Sequence, residues 1–117
     1  MKRVDKPWGY EEWFVQNEKY VGKFLFIKKG HRLSKQHHVV KDETVYVMTG
    51  EMNLMLYDEN NDSLSLIRLM KEGSSHRIEP GTIHRMIAIE DTLLIEVSTP
   101  EVDDIVRHED DYGRIKK

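Results

Sequence analysis

Short apolar runs rich in β-branched and aromatic residues, broken by turn residues before any helical period is established, dominate the sequence and point to an all-β chain. The spacing predicts strands over Glu11–Gln16, Tyr20–Lys28, Lys35–Val40, Thr44–Thr49, Glu51–Asp58, Ser63–Met70, Ser75–Ile78, His84–Ile89 and Thr92–Ser98. In the fifth of these, Met52, Leu54 and Leu56 alternate with Glu51, Asn53 and Met55, the pattern of a strand with one buried face. The polar stretch Asp58-Glu59-Asn60-Asn61-Asp62 reads as a hairpin loop, and Glu79-Pro80-Gly81 as another turn. Eight or nine short strands in about 100 residues favour a closed barrel or two-sheet jelly roll, because an open sheet would leave adhesive edges.

At 117 residues the chain is expected to be one domain, residues 1–117, with a barrel over about 10–98 and an arm over 99–117. The arm is acidic and sparsely apolar, anchored only by Val102, Ile105, Val106, Tyr112 and Ile115, and is expected to form a short C-terminal helix or an extended segment. With 18 basic and 21 acidic residues mixed along the chain, the net charge of −3 offers no field suited to nucleic acid. No apolar stretch approaches the roughly 20 residues of a membrane span, and the N-terminus has no signal-peptide core, so a cytoplasmic location is expected. Cysteine is absent, so any metal must be held by nitrogen and oxygen.

Strand alternation lets Gln36 and His38 point into a barrel while His37 points away. Glu43 lies across a short turn and can return to the same place, and His84 follows the Glu79-Pro80-Gly81 turn closely enough to complete the set. Two imidazoles, a carboxylate and an amide oxygen suit one divalent ion: zinc, iron, manganese, cobalt or nickel. The other reading of these four residues is a set of ordinary polar positions on an exposed strand and turn.

The run from Gly30 to Gly50 and the later Pro80-Gly81-Thr82-Ile83-His84 resemble the paired motifs of the cupin superfamily, small double-stranded β-helix barrels. Gly30, His38, Glu43 and Gly50 match, and Gln36 stands where the first histidine of the usual pair would be. That Gln-x-His variant resembles the zinc-dependent phosphomannose isomerases, in which glutamine, histidine, glutamate and a later histidine hold the metal. Lys6-Pro7-Trp8-Gly9, the His84-Arg85 pair and the tail from Asp103 to Arg114 look like the C-terminal cupin domain of type II mannose-6-phosphate isomerases, which is often fused to a mannose-1-phosphate guanylyltransferase. These residues hold no nucleotidyltransferase segment, so guanylyl transfer is not expected of them.

What the resemblance implies is an aldose–ketose isomerase interconverting mannose 6-phosphate and fructose 6-phosphate. His76 and Glu79 are candidate bases and Arg85 a candidate catalytic cation, while Lys23 and Lys35 could offset the charge of a sugar phosphate. Each has a structural alternative: His76 as a satisfied strand histidine, Arg85 turned away from His84 by alternation, the lysines as solvated side chains. His31 and His108 read as surface residues. Trp8, Tyr10, Trp13 and Phe14 could stack on a sugar ring, or pack across the barrel or against a partner subunit, and a homodimer is expected. Two other functions fit the same site: a sugar-phosphate-binding module without turnover, and an iron dioxygenase, which Gln36 in place of histidine disfavours.

Overall fold

The computed structural model describes residues 1–115, and they form eleven strands in two antiparallel sheets that face each other as a jelly roll. The strands are β1 (Lys2–Lys6), β2 (Gly9–Gln16), β3 (Val21–Ile27), β4 (Lys35–His37), β5 (Glu43–Thr49), β6 (Glu51–Tyr57), β7 (Leu64–Lys71), β8 (Ser75–Ile78), β9 (His84–Ala88), β10 (Thr92–Ser98) and β11 (Val106–Glu109). One sheet runs β1-β2-β3-β10-β5-β8, the other β11-β4-β9-β6-β7. No helix occurs among the described residues, and none is therefore long and apolar enough to cross a membrane.

Alternation builds the core as expected. Met52 and Leu54 of β6, Val45 and Val47 of β5, Leu25 and Ile27 of β3 and Leu94 of β10 all turn inward and are buried. Each such side chain contributes about 1.5–3 kcal/mol relative to exposure.

Both chain ends depart from the expected layout. Residues 2–6 form a strand that pairs with β2, from Lys2 opposite Trp13 to Lys6 opposite Gly9. The tail, expected as a short helix or arm, instead supplies β11, which pairs with β4. Strand β4 is also shorter than expected, because the backbone N–H groups of Val39, Val40 and Lys41 turn out of the sheet to donate to the Asp104 carboxylate. The tail is pinned further along by Asp111, which accepts from Arg32 and Arg85, and by the Tyr112 hydroxyl, which donates to the Arg32 carbonyl.

Two motif glycines are required by geometry. Gly50 has φ 95°, and a Cβ there would lie 2.3 Å from the Asp91 carbonyl oxygen. Gly81 has φ 85° and donates its N–H to the His38 carbonyl at 2.7 Å, tying the second motif to the first.

Candidate metal centre and the cavity around it

Strand pairing brings the expected ligands to one place. Gln36 on β4 lies directly opposite His84 on β9, so the two side chains share a face. His38 leaves β4 toward the same interior, and Glu43 opens β5 on the facing sheet. The ligating atoms of His38, Glu43 and His84 all lie within 4.8 Å of one another, and all three residues are buried. Nε2 of His38 is 3.3 Å and Nε2 of His84 3.4 Å from the same Glu43 oxygen.

The outer nitrogens define the chemistry of the inner ones. Nδ1 of His38 faces the carbonyl oxygen of Asp104, and Nδ1 of His84 that of Thr82 at 2.9 Å. A carbonyl accepts but cannot donate, so each ring must carry its proton on Nδ1, and in the neutral ring Nε2 presents a lone pair. Both Nε2 atoms are buried without a hydrogen-bond partner among the described residues. Two desolvated lone pairs converge on a carboxylate, and backbone orientation of the outer nitrogens is the usual support of metal-binding imidazoles. Gln36 is 9% exposed, and its Oε1 accepts from the Ser34 hydroxyl at 2.8 Å, leaving one oxygen lone pair for a further partner. The donor set fits a borderline divalent cation.

Beyond Glu43 runs a buried chain of charges that the sequence reading did not anticipate. Lys41 Nζ stands 3.2 Å from Glu43 and 3.4 Å from Glu96. Lys23 Nζ lies 3.9 Å from Glu96 and 3.6 Å from Glu11, over the Trp13 ring. Burial pushes the Glu43 carboxyl upward, but the Lys41 ammonium beside it favours the ionised form, and the group is held well below its ordinary value. Burial and the nearby Glu43 charge push Glu96 up to about 8. Burial lowers the Lys41 ammonium, and Glu96 and Glu43 more than restore it. The directions agree: one ammonium lies between two carboxyls, Glu43 takes the ionised role, and Glu96 holds a proton at neutral pH.

These groups line a cavity of about 640 Å³, walled also by Trp8, Trp13, Gln36 and Arg107 and reached by Lys2 and Lys6 of β1. Lys23, Gln36, His38 and Glu43 belong to it; the other expected residues do not. Arg85 is buried on the opposite face, where Nε donates to the Leu33 carbonyl and a terminal nitrogen to Asp111. Lys35, one residue from Gln36, likewise faces outward to Asp62 at 2.8 Å and Glu109 at 3.4 Å. His76 sits on the edge strand β8 against Arg68, and Glu79 is exposed beside Arg77. His37 faces outward onto His108 at 2.7 Å, as alternation requires. The aromatic cluster divides: Trp8 is core, Tyr10 stacks on Phe26, and Trp13 reaches the cavity.

Residues 1–110 match the family described as mannose-6-phosphate isomerase, C-terminal. The chain belongs to that family. Among curated relatives of this mannose-6-phosphate isomerase C-terminal domain, the mannose-1-phosphate guanylyltransferase ManC of Salmonella typhimurium is 32% identical over 97% of this chain. The chain spans about a quarter of the length of the curated relatives it matches, 23% in that case and 24% for the xanthan biosynthesis protein XanB of Xanthomonas campestris. A solved structure of KdgF from a Halomonas species superposes with TM-score 0.74 at 19% identity, covering 88% of this chain and 89% of that one. A cupin from Shewanella frigidimarina described as RmlC-like gives 0.73 at 17% identity, covering 87% of this chain and 86% of that one, and the fold is that of the cupins.

Proposed function

We propose that this domain is a metal-dependent isomerase of mannose 6-phosphate and fructose 6-phosphate, holding one divalent ion on His38, Glu43, His84 and Gln36. The observation that carries the reading is the pair of buried Nε2 lone pairs, without hydrogen-bond partners among the described residues, that face Glu43, with His38 and Glu43 at the wall of a polar cavity. Family membership supplies the substrate class. A bound divalent ion would polarise the sugar oxygens at C1 and C2 and lower the cost of an enediol.

The chain's own residues do the rest. Asp104 and Thr82 carbonyls keep the imidazoles in the ligating tautomer. Ionised Glu43 contributes the single negative charge of the ligand set, and Lys41 offsets the carboxyls beside it. The proton that moves between C1 and C2 needs a carrier lining the cavity, and Glu96 and Lys41 occupy that position, whereas His76 and Glu79 lie outside it. Trp13 and Trp8 offer apolar walls to the ring.

The decisive experiment is turnover of metal-loaded protein in deuterated water. Fructose 6-phosphate should form from mannose 6-phosphate, with deuterium appearing at the carbon that exchanges through the enediol. His38→Ala and His84→Ala should each weaken metal binding by about a hundredfold or more, while His37→Ala stays within a few-fold of the parent. Bound metal with neither product nor exchange on any sugar phosphate would replace the isomerase with a binding module.

A further inference from the structure

The tail strand β11 carries Arg107, whose Nε has no hydrogen-bond partner among the described residues. Arg107 lies opposite Gln36, which lies opposite His84, so the three side chains form one row across three strands, with Arg107 and Gln36 lining the cavity. Two strand spacings, about 10 Å, separate the backbone of Arg107 from that of His84, a span comparable to an extended hexose monophosphate. A bulge follows directly: the register shifts between Arg107 and Glu109, so Glu109 joins Lys35 on the outer face and leaves no carboxylate beside Arg107 from its own strand.

Arg107 Nε is buried without a hydrogen-bond partner, and its guanidinium lines the cavity. Its charged neighbours are Arg114 and Asp110. Asp110 is already engaged by two nitrogens of Arg114, each at 2.9 Å, so its charge is taken. Deeper in the cavity Lys41 pairs with Glu43 and Lys23 with Glu11, with Glu96 between them. Lys2 and Lys6 reach the cavity from β1 and add positive charge to its lining. A half-buried guanidinium without a counter-ion is costly, and its planar fork matches a phosphate better than a point charge does.

We propose that Arg107 binds the phosphate monoester of the substrate, fixing the sugar so that its other end meets the His38–Glu43–His84 cluster. This rests on the isomerase reading for the identity of the sugar, but the phosphate site itself stands on the row of residues and the unpartnered guanidinium. It also gives the tail a direct part in substrate selection.

Calorimetry of the full, metal-loaded chain with mannose 6-phosphate, mannose and inorganic phosphate tests it, alongside steady-state kinetics. Arg107→Gln should weaken both phosphate-containing ligands by about ten- to a hundredfold, leave mannose unaffected, and raise KM with kcat within about threefold. Arg107→Lys, which keeps the charge without the fork, should fall between the two and serves if Arg107→Gln folds poorly. Unchanged binding of inorganic phosphate and mannose 6-phosphate in both variants, with metal content intact, would overturn the proposal. Loss of phosphate binding in a protein that turns over no sugar phosphate would support the phosphate site while removing the isomerase.

Discussion

Glu96 occupies the interior position with the least favourable electrostatics. Its neighbours on β10, Leu94 and Ser98, face the same interior, so strand alternation turns its carboxyl into the cavity beside Glu43 and away from the outer surface. Folded Glu96 keeps its proton up to about pH 8, whereas the unfolded chain releases it near 4.5. Between those values the unfolded state binds fewer protons, so stability falls as pH rises. In chelator-treated protein, the parent should therefore lose stability relative to Glu96→Gln across pH 4.5 to 8, by at most about 1.4 kcal/mol per pH unit, and the two should converge below pH 4.5. Urea denaturation at fixed pH values reads this directly, and parallel curves would show that Glu96 is ionised throughout. A divalent ion on Glu43 would remove part of the repulsion, so metal should flatten the parent's slope.

At the level of strands, the tail determines how the first motif ends. Asp104 accepts three consecutive backbone N–H groups through its carboxylate and orients His38 through its carbonyl, so one residue both stops β4 and sets a ligand's tautomer. Those amides, Val39 foremost, hold its carboxyl down at about 2. Its contribution to stability is complete above the unfolded value of 3.8 and is lost as pH falls toward 2. Asp104→Ala should lower the melting temperature at pH 7 by about 4 °C or more, with the gap closing between pH 4 and 2, and should weaken metal binding by about tenfold. A thermal shift without loss of metal affinity would separate the strand-ending role from the ligand-orienting one. None of this was legible in the sequence, where Asp104 is one acidic residue in an acidic run. The inner strands were legible because apolar alternation records burial, and His38, Glu43 and His84 because motif spacing records a shared face. Strands β1 and β11 escaped because they are polar edge strands held by backbone pairing, which leaves no apolar period. Glu96 and Lys41 escaped because their meeting spans 55 positions of sequence. The apolar Leu93, Ile95 and Val97 share one face of β10 while Thr92, Glu96 and Ser98 share the other, so apolar alternation alone points Glu96 away from the interior.

For the molecule as a whole, the uncovered apolar surface lies elsewhere than the aromatic N-terminus suggested. Tyr10 stacks on Phe26 and Phe14 packs tilted against Phe24 within the chain. Strand β7 is different: it ends its sheet, and Leu64, Leu66, Ile67 and Leu69 are each about half exposed on both of its faces before Met70 enters the core. A long apolar edge strand with unpaired backbone groups is a liability in a monomer and a natural seam between two copies. Burying four such side chains contributes about 25 cal/mol for each Å² removed from water, while lysine at the same positions would place unpaired charges in the seam. Sedimentation equilibrium at micromolar concentration is expected to give a dimer for the parent and a monomer for the double variant Leu66→Lys/Leu69→Lys. The metal centre, which is built entirely within one chain, should keep its metal in both. A parent that sediments as a monomer would rule out the seam, and a double variant that remains dimeric would move the interface to another face of the barrel.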